Sequence, residues 1–143
     1  MNRPEGYRRL REQLIKHEGL RLKPYKDTVG KLTVGVGRNL DDVGITHDEA
    51  MQMLTNDITR VANEVEKAFG WFKSLDTVRQ DAILNMAFNV GLPRLQGFKK
   101  MLEALRVQNY SVAAKEALDS KWATQVGPRS KDIAIMLEKG IYP

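Results

Sequence analysis

The chain has 143 residues, a formal net charge of +5 and no cysteine. That length fits one domain able to bury about two thirds of its unfolded surface, and without cysteines neither a disulfide framework nor a thiolate zinc site is possible. No apolar run is long enough to cross a bilayer, the charged start MNRPEGYRRLREQ has no signal-peptide core, and the modest positive charge attracts anionic polymers without choosing among nucleic acid, membrane surface and cell wall.

Residues 4–18 read as a first helix, with Pro4 near its start. Tyr7, Leu10, Leu14 and Glu18 fall on one face, so an apolar stripe ends in a carboxyl group. A carboxyl there is expected to be partly desolvated and at the negative end of the helix dipole. Both conditions favour the protonated form, that of a proton donor. Gly19 suits a left-handed cap. His17 has no second His four residues on, so the zinc-protease pattern is absent.

Residues 21–40 read as a small antiparallel sheet, with Pro24 at an edge or strand start and DTVG joining two strands. Asp27 in that turn is solvated and is expected to stay ionised. Leu32, Val34 and Val36 alternate with Thr33, Gly35 and Gly37, which makes one face apolar and the other bare except for one hydroxyl. Bare glycine strips often mark close approach by a ligand or another backbone. One neutral acid, one ionised carboxylate and a bare strip resemble the arrangement that cleaves glycosidic bonds.

Thr46 and Glu49 form a capping box, and an uninterrupted amphipathic helix should run from there to about Phe69. Gly70 breaks the pattern. Residues 75–90 read as a buried helix stopped by Gly91 and Pro93. Phe88 and Asn89 lie near its end. Further helices carry Phe98, Met101, Leu102 and Leu105, then Ser111 to Leu118, then Pro128 to Gly140. Gly35 and Gly37 do not open a phosphate loop, since no lysine and helix start follow in the required pattern.

The stretch HEGLRLKPYKDTVGKLTVGVG sets Glu18, eight residues, Asp27, five residues, and Thr33. It resembles the active-site stretch of the phage-type lysozymes, the muramidase endolysins of glycoside hydrolase family 24. The likeness resumes at DTVRQDAILNMAFNVG, residues 76–91, and at SKWATQVGPRS, residues 120–130. One departure stands out: after GVG the family often has His, and this chain has Arg38.

The resemblance implies a mostly helical α+β, lysozyme-like fold and a single catalytic domain over 1–143. A small antiparallel sheet lobe (about 19–45) and a larger helical lobe (about 70–143, plus the N-terminal helix) would be joined by a long helix (about 46–69). It implies hydrolysis of the β-1,4 bond between N-acetylmuramic acid and N-acetylglucosamine in bacterial peptidoglycan, for host lysis by a phage or prophage. Glu18 would be the general acid, with Asp27 acting at the water or the developing cation and Thr33 placing the water. Arg129 matches a family arginine that reaches back to the catalytic glutamate. The family's groove passes Phe88 and Asn89; for Phe88, core packing is an equal alternative. No metal or cofactor is implied. The chain is expected to be a monomer that binds no nucleic acid, is not a membrane protein and stays in the host cytoplasm until a holin releases it. Rival readings are a lytic transglycosylase, a basic helical module that binds nucleic acid, and an inactive wall-binding relative. Asp27 and Thr33 argue against the first, scattered basic residues against the second, and the intact Glu18, Asp27 and Thr33 against the third.

Overall fold

The structure is a computed structural model that describes residues 6–143. It is α+β and mostly helical, with one small antiparallel sheet and eight α-helices among the described residues. The chain forms two compact units, Met1–Gln52 and Met53–Pro143.

In the first unit, α1 spans Arg8–Glu18. Pro4 lies outside the described residues, and Gly6 and Tyr7 form a turn before the helix. Gly19 ends it with a positive φ of 80°, although its ψ of 164° is not that of the left-handed cap. The sheet has the order β1-β2-β3, with β1 over Arg21–Lys26, β2 over Leu32–Gly35 and β3 over Arg38–Asn39. Thr33 on the central strand pairs with Tyr25 on one side and Asn39 on the other, and Val34 pairs with Arg38. Pro24 lies on edge strand β1, where the register shifts between Arg21 and Tyr25. An edge tolerates the missing N–H.

Burial in β2 does not follow its apolar pattern. Thr33 is 3% exposed, whereas Leu32 and Val36 are open at 36% and 37%. Val34 is half-buried, so Thr33 is the buried residue of the central strand, and periodicity cannot say which positions the chain will cover.

Thr46 and Glu49 make the expected capping box: Thr46 N–H donates to Glu49 Oε1 at 2.8 Å and Glu49 N–H to Thr46 Oγ1 at 3.1 Å. It opens α2, His47–Ala68, an uninterrupted helix of 22 residues that crosses from the first unit into the second. The Arg38 guanidinium forks onto the same carboxylate, Nη1 to Oε1 at 2.8 Å and Nη2 to Oε2 at 2.7 Å, and Nη1 also donates to Gly44 O. Hydrogen bonding from Arg38, then from Thr46, holds the Glu49 carboxyl down at about 2. A depressed folded-state value gives stability that is present above the ordinary carboxyl range and lost as pH falls towards 2. The Tm gap between the wild type and Glu49→Gln should therefore be constant above about pH 4.5 and close towards pH 2. A gap that stays open at pH 2 would mean that charge pairing with Arg38 is not its source.

The second unit holds all the buried apolar residues of the described chain. After a 3₁₀ turn at Phe72–Ser74 come α3 (Thr77–Val90), α4 (Leu92–Gln96), α5 (Lys99–Arg106), α6 (Tyr110–Leu118), α7 (Lys121–Val126) and α8 (Pro128–Lys139). Ile83, Met86, Leu105, Ile133 and Leu137 are no more than 1% exposed. Each such burial contributes roughly 1.5–3 kcal/mol. Two helices escape the sequence reading. Pro93 sits in the first turn of α4 rather than merely stopping α3, because proline fits a first turn whose N–H groups are unpaired anyway. The segment around Trp122 forms α7, opened by the Ser120 hydroxyl accepting from Ala123 N–H at 3.1 Å.

Candidate active site

Glu18, Asp27 and Thr33 all lie in the first unit. Glu18 ends α1, and its carboxylate rests against Gly37, where an added Cβ would stand 3.0 Å from Oε2. Gly37 also has a φ of 69°, a backbone shape that favours glycine, and a side chain there would press on the end of Glu18. The expected desolvation is absent: Glu18 is exposed and α1 buries none of its residues, with Leu10 and Leu14 each 42% exposed. Periodicity identifies an apolar stripe but not whether anything covers it.

Asp27 closes the β1–β2 hairpin. Its Oδ1 accepts from Val29 N–H at 3.0 Å and from Lys31 N–H at 2.8 Å, and its own N–H donates to Lys31 O at 2.9 Å. These bonds fix the orientation of the carboxyl group in the turn. Its other oxygen, Oδ2, has no hydrogen-bond partner among the described residues. The buried Thr33 hydroxyl donates to the same Lys31 carbonyl at 2.8 Å. Its proton is thus committed, and the lone pairs of Oγ1 remain for an incoming donor. Lys31, a residue the sequence reading did not single out, is the hub that sets the orientation of both groups.

Phe88, Asn89 and Arg129 lie in the second unit. Phe88 is 45% exposed, so it is not a core residue. It lines a cavity of about 360 Å³ with Leu54, Ile58, Leu84, Asn85 and Arg129. Asn89 Oδ1 accepts from the buried Trp122 indole at 2.8 Å. Indole N–H only donates, so this bond fixes the amide's orientation and leaves its NH₂ as a donor. Arg129 is held by Asn85, with Nε to Oδ1 at 2.8 Å and Nη2 to the carbonyl at 3.3 Å. The sequence reading missed Asn85. Its signal was available: Asn85 and Asn89 stand one turn apart on a helix whose intervening Met86 and Ala87 are buried. Among the described residues no cluster of His, Asp or Glu is arranged to hold a metal ion.

The family model described as phage lysozyme matches residues 15–135. The chain belongs to the phage lysozyme family. As a phage lysozyme it is a glycoside hydrolase, a peptidoglycan-lysing enzyme of the endolysin type. It is 28% identical to probable T4-type lysozyme 1 of Dictyostelium discoideum, over 92% of this chain and 94% of the relative. It is 35% identical to the endolysin of Acyrthosiphon pisum secondary endosymbiont phage 1, over 77% of this chain and 75% of that protein. It is also 27% identical to the pre-baseplate central spike protein Gp5 of Enterobacteria phage T4, over 90% of this chain but 27% of that much longer protein. No helix of the described chain is long and apolar enough to cross a membrane.

For a phage lysozyme the seat under Glu18 gives a direct test. Gly37→Ala forces an unfavourable positive φ and moves the carboxylate. Wall-clearing activity should fall by about tenfold, as small misplacements of reacting groups do. Unchanged activity in a folded Gly37→Ala protein would show that the contact has no catalytic consequence.

Proposed function

We propose that the chain hydrolyses the β-1,4 bond from N-acetylmuramic acid to N-acetylglucosamine, with Glu18 as general acid and with Asp27 and Thr33 acting on the attacking water. Glu18 gives its proton to the leaving oxygen. The water gives one proton to Asp27 and is oriented by a hydrogen bond to Thr33. The single observation that carries this division of labour is the Lys31 carbonyl, which takes the Thr33 hydroxyl proton while Asp27 Oδ2 stays unpartnered among the described residues. A water needs acceptors for both of its protons, and these two groups are acceptors.

In the second unit, Phe88 offers an apolar platform for a sugar face, the Asn89 amide a donor for an N-acetyl carbonyl, and Arg129 a cation for the anionic wall. The relatives called endolysins support a role in lysing the host late in phage infection. The chain acts as a monomer, without metal or cofactor, and waits in the host cytoplasm until a holin opens a path to the wall.

The test is to digest purified peptidoglycan and analyse the new ends by mass spectrometry. Muropeptides with a new reducing muramic end are expected, because a water-activating carboxylate is present. Anhydro-muramic ends as the main product would move the assignment to a lytic transglycosylase. Free amino groups released without sugar cleavage would sink it altogether.

A further inference from the structure

We propose that Arg38 is a positioning residue for the reaction, holding the β2–β3 edge in place against Glu18 through its fork on Glu49. The inference rests on the roles proposed for Glu18 and Thr33. Arg38 stands between the two points that matter. The residue before it, Gly37, is the seat of the Glu18 carboxylate. The residue after it, Asn39, is paired with Thr33, and Arg38 itself faces Val34, the neighbour of Thr33.

Strand β3 has only two residues. A ladder so short contributes few hydrogen bonds, and Thr33 is the one buried residue among those described in this unit. Past the ladder, Leu40 N–H donates to Leu32 O at 2.7 Å and Leu32 N–H to the Asp41 carboxylate at 2.7 Å, and the side chains of the edge add to these holds. Arg38 makes three bonds, two to the Glu49 carboxylate and one to Gly44 O. A planar fork on a carboxylate fixes orientation as well as distance. Its far end is fixed in turn, because Glu49 is locked by Thr46 in the first turn of α2. The strut thus runs from the seat of the acid to a stiff helix. Two further side-chain tethers join the hairpin to the 39–45 loop, Lys31 Nζ to Asp42 at 3.2 Å and Asp41 Oδ2 accepting from Leu32 N–H at 2.7 Å, and neither is a planar two-bond fork. The Arg38 side chain is long enough to reach α2 and shaped to grip a carboxylate with two parallel bonds.

The test compares Arg38→Ala, Arg38→Lys, Glu49→Gln and the Arg38→Ala/Glu49→Gln double variant on a soluble peptidoglycan oligosaccharide, well below the Tm of each. Both Arg38→Ala and Glu49→Gln should lower kcat about tenfold while KM changes less than about twofold, because the reacting groups are displaced rather than the sugar contacts removed. Arg38→Lys should recover only a minor part of that loss, since an ammonium cannot make the fork. The double variant should be no slower than the slower single variant. Full kcat in Arg38→Ala and Glu49→Gln with only a lower Tm would overturn the inference, as would losses that simply multiply in the double variant. Glu18→Gln, run alongside, separates the two levels. If it is active, the reading of the site fails; if it is inactive while Arg38→Ala keeps full kcat, only the role of Arg38 fails.

Discussion

Glu18→Gln is expected to lower kcat/KM on peptidoglycan by about 10²–10⁴-fold, the range typical of losing a general acid, with the fold intact. The amide has nearly the same shape as the carboxyl and still fills the space against Gly37. What it loses is the proton it would give to the leaving oxygen. The loss should therefore appear in kcat, with KM little changed. Stability should stay within about 0.5 kcal/mol, the usual effect of a surface substitution, because Glu18 is exposed and α1 buries none of its residues. Asp27→Asn makes a useful contrast. Its amide oxygen can replace Oδ1 in accepting from the Val29 and Lys31 N–H groups, so the hairpin should fold while the proposed acceptor of the water's proton is gone. Near wild-type turnover by Glu18→Gln, in a protein that melts normally, would contradict the proposed mechanism at its centre.

Arg79→Ala is expected to be the most destabilising of the polar substitutions, by about 2–4 kcal/mol. Its side chain is only 13% exposed. It donates to the carbonyls of Leu137 at 2.7 Å and Glu138 at 2.7 Å, thereby satisfying the end of α8 from a position on α3. It also pairs with Asp76, the N-cap of its own helix, and stacks on the Tyr110 ring at 3.6 Å. Truncation leaves two helix-terminal carbonyls without a partner, which costs roughly 1–3 kcal/mol for each one that water cannot reach. The Asp76 pair adds less, because Asp76 is 42% exposed and such pairs are screened. Nearby, the Tyr142 hydroxyl donates to Asp81, a further bond between the C-terminal segment and α3. Urea unfolding followed by tryptophan fluorescence reads this unit directly, since Trp71 and Trp122 both lie in it. The expected Tm loss is of order 10 °C. Arg79→Lys should recover less than half of it, because one ammonium cannot serve carbonyls, carboxylate and ring together. A loss below about 0.5 kcal/mol in Arg79→Ala would mean that water replaces the guanidinium at both carbonyls.

The sequence by itself determined what short-range chemistry can specify. The Thr46–Glu49 capping box needs a spacing of three residues, and the long helix behind it needs only periodicity. The Asp27 turn needs DTVG between alternating segments. The residue types and spacing of Glu18, Asp27 and Thr33 point to the lysozyme family, to which the chain belongs. The short helices α4 and α7 were illegible because five or six residues complete too few turns to show a period. Only the tertiary structure decided the rest. Periodicity marked the stripe of α1 but could not tell that Glu18 at its end is exposed, nor that Thr33 would be the buried residue of the sheet. The grip of Arg38 on Glu49, the hold of Asn85 on Arg129, the bond from Trp122 to Asn89 and the reach of Arg79 to the end of α8 join residues 11 to 59 positions apart. Such bonds form only where the folded path brings a donor within about 3 Å of its acceptor in the right direction, and no local pattern in the chain encodes that meeting.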